Sequence, residues 1–117
     1  MIKIEALVRP ERINDVTKAL DESGCKGYFY ENVTGQGRQQ GVEVITGRGG
    51  QISTRSAVPK TKVTTVVAND VVEAVIEAII QAARSPQSGE IGDGKIFLTT
   101  ISDVIRVSSG ERGEIAI

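Results

Sequence analysis

The chain has 117 residues, 14 basic and 15 acidic, with two tyrosines, two phenylalanines, one cysteine and neither histidine nor tryptophan. The near-neutral charge and the few aromatic rings argue against a dedicated nucleic-acid binder. A single cysteine excludes an internal disulfide, and the lack of histidine excludes His-dependent catalysis and His-ligated metals. We expect one domain, residues 1–117, in a cytoplasmic protein without signal peptide or membrane span.

The first third of the chain predicts a strand, a helix and a second strand. Residues 2–8 alternate between apolar and polar side chains, which indicates a half-buried strand. Ile13, Val16 and Leu20 then recur at helical spacing, and Gly24 is placed to end that helix. Residues 27–34 are aromatic and β-branched, as in a strand.

The last half repeats this order. Residues 61–68 predict a third strand, and residues 71–82 predict a helix with a wide apolar face. We expect Asn69 or Asp70 to cap this helix, with Glu73 completing a capping box. A fourth strand is predicted from Lys95 to about Ile101, and a short final strand over residues 104–107.

Residues 35–59 break this pattern, because they are rich in glycine and show neither the alternation of a strand nor the spacing of a helix. From residue 38 to residue 62 there are five basic residues and one acid, which gives a local charge of about +4. A connection of this length inside a small domain is usually functional or mobile.

Two successive strand–helix–strand units predict an α+β fold of the ferredoxin-like type, with a four-stranded antiparallel sheet and both helices on one face. In so short a chain nothing is left to cover the other face. Leu7 and Val66 are predicted to point there, so we expect that face to be covered by another subunit.

Two glycine clusters are candidates for binding an anion. In the glycine loop, defined here as residues 88–94, Gly92 and Gly94 bracket Asp93, and Lys95 follows with a positive charge. A plain tight turn into a strand explains Gly-Asp-Gly equally well. Residues 35–41 form the second cluster, which lacks the spacing of a dinucleotide fingerprint but contains a cation and an amide, Arg38 and Gln39.

Five motifs together resemble the PII family of trimeric nitrogen-status signalling proteins. They are Met-x-Lys-Ile-Glu-Ala-Leu-Val-Arg-Pro at the start, Gly-x-Gly-Arg-Gln-x-Gly from Gly35, Pro-Lys-x-Lys from Pro59, Gly-Asp-Gly-Lys-Ile-Phe from Gly92, and Ser-Gly-Glu-Arg-Gly from Ser109. The resemblance runs over nearly the whole chain. It implies a homotrimer without enzymatic activity, in which residues of about 37–57 form the family's long T-loop.

The resemblance also implies ligands and their positions. ATP or ADP would lie between neighbouring subunits, with Gly37 and Arg38 at the phosphates from one side and the glycine loop, Lys95 and Arg106 from the other. The residues matching nucleotide contacts are Leu7, Gly35, Gly37, Arg38, Val66, Gly92, Asp93, Gly94, Lys95 and Arg106. The residues matching 2-oxoglutarate contacts are Gln39, Gly41 and Lys60, where Gln39 would also ligate a Mg²⁺ shared with ATP. On spacing alone, Lys60 is equally well a solvated lysine at a strand edge.

Three departures from the family pattern stand out. Residues 46–56 contain no tyrosine, so the nucleotidylation found in many relatives is not expected. Ser108 occupies the place of a second arginine, which removes one cation from the phosphates. Phe29 occupies the place of a threonine on the adenine side.

We therefore predict a PII-type regulator of nitrogen metabolism. Its T-loop would dock on a target, an ammonium transporter before a nitrogen-metabolism enzyme, by presenting Arg48, and the transporter would recruit the protein to the membrane. A divergent sensor of ADP, AMP or another small anion is the alternative, which Phe29 and Ser108 favour. A nucleotide-hydrolysing enzyme of the same fold is a weaker rival, because the sequence shows no carboxylate cluster to position a water.

Overall fold

The computed structural model describes residues 1–36, 43–46, 51–54 and 57–117, and it describes side chains for 1–36 and 57–117. Strand β1 spans Ile2–Val8, helix α1 Ile13–Glu22, strand β2 Phe29–Gln36, strand β3 Glu43–Thr46, strand β4 Gln51–Thr54, strand β5 Ala57–Val67, helix α2 Val72–Ala83 and strand β6 Gly94–Thr100. Single 3₁₀ turns occupy Pro10–Arg12, Asn69–Val71 and Gly113–Ala116. None of the described helices has the length and apolarity needed to cross a membrane.

Four strands form one antiparallel sheet in the order β2-β5-β1-β6. Strand β1 lies in the interior of the sheet, and its buried side chains Ile4, Ala6 and Val8 form one half of the core. The other half comes from the two helices, through Val16, Leu20, Val75 and Ile79. Because these side chains pack on the same face of the sheet, both helices cover that face. The predicted ferredoxin-like α+β arrangement is therefore confirmed.

The helices begin and end close to the predicted residues. Proline at the first turn suits the start of the α1 region, since its fixed φ fits a helix and its missing N–H has no intrahelical partner there. Gly24, just after α1, has a φ of +87°, a conformation that glycine adopts without strain and that often follows a helix. Helix α2 ends at Ala83, before Pro86.

The predicted capping box is wrong. Val71 is the N-cap of α2 and makes no side-chain capping bond, because a 3₁₀ turn over Asn69–Val71 precedes the helix. The Asn69 side chain instead accepts a hydrogen bond from the ammonium group of Met1, at 2.9 Å. A contact across 68 residues has replaced the local cap.

Strand bounds also differ from the prediction. Strand β2 begins at Phe29 and not at residue 27, and β5 begins at Ala57, four residues before the predicted start. Strands β3 and β4 pair with each other as a separate antiparallel ribbon, in a region where no regular structure was predicted. Four-residue strands are too short to produce a periodic sequence signal.

The predicted final strand is wrong as well. Residues 101–117, called here the C-terminal segment, contain one isolated bridge between Ile105 and Arg112 and a 3₁₀ turn, with no strand over 104–107. The short apolar run was misleading because its side chains do not enter the core. Ile105 and Val107 are both exposed.

The face of the sheet opposite the helices carries mixed side chains. Leu7 and Val66 lie on it, half-buried, as predicted. At its centre Lys62 pairs with Glu31 at 3.1 Å and with Glu5 at 3.6 Å, and Lys3 pairs with Glu5 at 3.3 Å. The two outer strands place an aromatic ring on it, Phe29 on β2 and Phe97 on β6, 63% and 50% exposed.

Candidate functional site

The glycine loop connects the end of α2 to the start of β6. Gly92 and Gly94 have φ of +99° and +131°, which other residues rarely adopt. A Cβ at Gly94 would lie 1.8 Å from the carbonyl oxygen of Leu7. Glycine at this position therefore lets the loop lie directly against the end of β1, where Val8 and Gly94 are register partners.

The carboxylate of Asp93 is the centre of the loop. Its Oδ2 accepts the backbone N–H groups of Ser85 and Glu90, both at 2.9 Å, and its Oδ1 accepts the Ser85 hydroxyl at 2.5 Å and Nε of Arg9 at 3.3 Å. Burial by itself raises the pKa of Asp93, but these donors, Ser85 first, outweigh it and hold the pKa far below its ordinary value. The carboxylate thus stays ionised and directed into the loop.

Two cations hold successive carbonyl groups of the loop. Arg9 Nη2 donates to the carbonyl oxygen of Ile91 at 3.1 Å, and Lys60 Nζ donates to that of Gly92. Burial lowers the pKa of Lys60, and the nearby charge of Arg9 lowers it further, while Glu11 and Asp93 act in the opposite direction. The loop therefore lies where two positive charges are held close together.

The structure brings seven of the predicted site residues to this end of the sheet. Leu7 is the register partner of Lys95, and a Cβ at Gly35 would lie 3.5 Å from Cγ of Lys60. The seven residues are Leu7, Gly35, Lys60, Gly92, Asp93, Gly94 and Lys95. They come from four different segments, so this cluster depends on the strand order.

Val66 and Arg106 lie at the opposite end of the sheet from the glycine loop of the same chain. Val66 is six residues beyond Lys60 along β5, or about 20 Å. Arg106 follows the far end of β6 and bonds to Glu111 at 3.0 Å and to the carbonyl of Ile115 at 2.8 Å. Glu114 and Ile117 lie beside Val67 at that same end. Within one chain, strand β6 separates Arg106 from the loop.

Five predicted site residues lie outside the described part of the chain. They are Gly37, Arg38, Gln39, Gly41 and Arg48. Their predicted contacts with phosphate, 2-oxoglutarate, Mg²⁺ and a target protein stay predictions. Among the residues that are described, no three His, Cys, Asp or Glu side chains converge as metal ligands.

A cleft of about 710 Å³ opens beside the glycine loop, between α2 and β6. The lining from α2 and β6 includes the apolar side chains of Ile76, Ile80, Ile96 and Leu98, and charged residues, Lys95 among them, also line the cleft. Leu98 is half exposed although it lies on the helix-covered face of the sheet. The cleft places an apolar surface next to the cationic end of the sheet.

Arg9 and Ser85 were missed as site residues. From the sequence, Arg9 was considered only as part of the opening motif, yet Arg9 makes two hydrogen bonds to the glycine loop. Ser85 follows α2 and is buried, with both its N–H and its hydroxyl on Asp93. The Arg-Pro motif was a signal for Arg9, since arginine is not needed to end a strand. No local signal distinguishes Ser85 from an ordinary loop serine.

Comparison with known proteins agrees with this fold. The family model described as nitrogen regulatory protein P-II matches residues 1–111. The P-II homolog of Arabidopsis thaliana is 49% identical over 112 residues, covering 96% of this chain and 55% of the relative. P-II 2 of Methanothermobacter thermautotrophicus is 41% identical over 118 residues, covering 100% of this chain and 97% of the relative. A crystal structure of Arabidopsis thaliana PII bound to citrate has a TM-score of 0.76 at 43% identity, covering 99% of this chain and 91% of that one.

The fold and the matches define a small α+β signalling protein. The chain belongs to the nitrogen regulatory protein P-II family. It spans about half the length of the plant relative and nearly all of the archaeal one. Proteins of this family are signalling proteins and not enzymes; they bind small effectors and act through contacts with target proteins.

Proposed function

We propose that the chain is a PII-type sensor that binds ATP or ADP between the subunits of a homotrimer and regulates nitrogen metabolism. The observation that carries this is the glycine loop with its surrounding cations, where Arg9 and Lys60 hold the loop backbone and Lys95 follows it. Phosphate groups are recognised by such combinations of backbone N–H groups and cations.

The electrostatics of this end of the sheet suit an anion. Burial and the charge of Arg9 lower the pKa of Lys60, and the negative charges of Glu11 and Asp93 offset this only in part. A further negative group close by would therefore stabilise both cations. A polyphosphate would supply that charge.

The location of the predicted contacts supports binding between subunits. Lys95 and Arg106 belong to opposite ends of β6, so one nucleotide reaches both only if they come from different chains. The exposed rings of Phe29 and Phe97 on the open sheet face give neighbouring chains an apolar surface to bury. Both features favour the predicted homotrimer, with residues 1–117 as one domain.

The second effector would be 2-oxoglutarate, bound through Gln39, Gly41 and Lys60. Lys60 fits this role by position, because its ammonium group lies at the cationic end of the sheet, where a carboxylate is attracted. Mg²⁺, bound through Gln39, would supply the charge that brings the phosphates and the dicarboxylate together. The described residues do not include Gln39, so its part rests on the family motif alone.

The output of the sensor would be the T-loop, residues of about 37–57. With Arg48 presented by this loop, an ammonium transporter is the first candidate target and a nitrogen-metabolism enzyme the second. We place the protein in the cytoplasm, with recruitment to the membrane through the transporter. By linkage, 2-oxoglutarate and the target should weaken each other's binding by the same factor.

Isothermal calorimetry tests this function. The wild-type protein is titrated with ATP, ADP and AMP, each with and without Mg²⁺ and 2-oxoglutarate. Binding of 2-oxoglutarate only when MgATP is present is the expected result. Because Ser108 replaces a cation and exposed Phe29 replaces a threonine, a divergent sensor of ADP, AMP or another anion is the second candidate. Tighter binding of AMP than ATP, with no response to 2-oxoglutarate, would favour that candidate.

Mixed oligomers test whether each site is shared. Lys95→Ala and Arg106→Ala chains, each carrying a different affinity tag, are expressed together and purified by both tags. If the two residues come from different chains, every mixed trimer that carries both tags keeps both cations at about one in three of its interfaces. ATP binding of wild-type affinity should return at that fraction of sites. If none of the sites regains it, the shared site is contradicted.

A further inference from the structure

The Asp93 carboxylate joins three parts of the chain that are distant in sequence or differ in structure. It accepts bonds from Ser85, just after α2, from Glu90 inside the glycine loop, and from Arg9, which lies 84 residues away at the end of β1. Its side chain is only 17% exposed and that of Arg9 18%. This geometry leaves the carboxylate facing the protein.

The same contacts set the direction of a peptide group in the loop. Arg9 Nη2 holds the carbonyl oxygen of Ile91, and in a trans peptide the following N–H points the opposite way. The N–H of Gly92 is therefore directed away from Arg9. The next carbonyl, of Gly92, is held by Lys60, and the following N–H, of Asp93, donates back to Glu90 at 3.2 Å. Few rotations remain open to this stretch.

We propose that Ser85, Asp93 and Arg9 are positioning residues, which fix the glycine loop in its anion-binding shape and do not contact the anion through their side chains. This rests on the proposed function, since the loop is taken to hold the nucleotide phosphates. A preformed loop binds more tightly because its ordering has already taken place during folding. Of these three positioning residues, Ser85 alone lies outside the family motifs.

Removal of the Asp93 charge tests the proposal, because the direction of the change in ATP affinity depends on the role of Asp93. Replacement of a carboxylate near a bound phosphate by a neutral amide should strengthen binding if only charge matters, because like charges repel. If Asp93 instead positions the loop, Asp93→Asn should weaken binding, since the amide keeps only one accepting oxygen and its NH₂ group cannot accept the two bonds made to the other carboxylate oxygen. The two explanations predict opposite changes.

The experiment compares Asp93→Asn, Ser85→Ala and Ser85→Thr with wild type. ATP affinity is measured by calorimetry, and amide hydrogen exchange of residues 88–92 is measured without ligand. We expect Asp93→Asn and Ser85→Ala to lose about tenfold in ATP affinity, in the range for a hydrogen bond to a charged group, and to exchange faster in the loop. Ser85→Thr, which keeps the hydroxyl, should recover most of both. Ser23→Ala is the matched control, because Ser23 also follows a helix and bonds locally, at 3.0 Å to Leu20.

Two outcomes overturn the proposal. One is ATP affinity in Asp93→Asn that equals or exceeds that of wild type, and the other is unchanged loop exchange in Ser85→Ala. The exchange measurement needs no ligand. If the wild-type protein fails to bind ATP, the proposed function fails, and the role of Ser85 in holding the loop is still decided by exchange.

Discussion

The glycine loop and the C-terminal segment are each held by one aspartate, but the partners of the two aspartates differ in their distance along the chain. Asp93 bonds to Arg9, 84 residues away, and so attaches the glycine loop to the sheet. Asp103 bonds to the N–H groups of Val104 and Gly113 and to Arg112, all within ten residues. The glycine loop is thus fixed to the core, whereas the C-terminal segment is fixed mainly to itself.

The ion pairs of the two regions also differ in solvent exposure. The Arg9–Asp93 pair is 18% and 17% exposed, and the Arg112–Asp103 pair is 68% and 34% exposed. Because water screens an exposed ion pair, the first pair should contribute more to folding than the second. A segment ordered by its own contacts is suited to dock on another subunit, which agrees with the proposed place of Arg106.

The largest contrast is expected for glycine substitutions. Gly94→Ala places a Cβ against the Leu7 carbonyl at a φ of +131°, so it should lower the free energy of unfolding by about 3 kcal/mol or more. Gly110→Ala in the C-terminal segment, at a φ of +73° with nothing within 4 Å, should cost about 1 kcal/mol. Urea denaturation at equal protein concentration measures both. Equal losses would show that the two regions are held to the same degree.

The next contrast concerns the two arginines. Arg9→Ala removes one of the donors to the largely buried Asp93 and the Arg9 bond to the Ile91 carbonyl, and should cost about 2 kcal/mol. Arg112→Ala removes a largely exposed bridge and should cost at most about 0.5 kcal/mol. The same denaturation experiment applies, repeated at high salt. A larger loss for Arg112→Ala than for Arg9→Ala would reverse the comparison.

The smallest contrast between the two regions is expected in acid stability. Asp93 has a folded pKa below its ordinary 3.8, so its contribution is present above that pH and is lost as the pH falls through the lower folded pKa. Asp93→Asn should therefore flatten the loss of stability on acidification below pH 3.8, by on the order of 1 kcal/mol.

Asp103→Asn is the control for this measurement. Burial raises the pKa of Asp103, but the N–H groups of Val104 and Gly113 and the charge of Arg112 lower it overall, so the sign of the effect is the same. Since its ion pair is more exposed, the change should be smaller. Thermal unfolding followed by circular dichroism from neutral to acid pH distinguishes the two. If wild type and Asp93→Asn lost stability in the same way on acidification, the ionised Asp93 carboxylate would not stabilise the folded protein through its hydrogen bonds.

The sequence by itself determined the four strands of the sheet, the two helices and the glycine loop. These depend on local patterns: alternation in β1, helical spacing of Ile13, Val16 and Leu20, and glycine on both sides of Asp93. The missed ribbon of β3 and β4 and the wrong final strand show the limit of such patterns, because a four-residue run carries little periodicity.

The tertiary structure decided which residues share a site. The bond of Arg9 to Asp93 and the distance between Arg106 and the glycine loop follow from strand order and register, which bring the end of β1 to the start of β6 and send the C-terminal segment to the other end. The Asn69 side chain likewise bonds to the amino group of Met1 and does not cap α2 as predicted. Local propensity cannot encode these contacts, because each joins groups that only the folded sheet brings together.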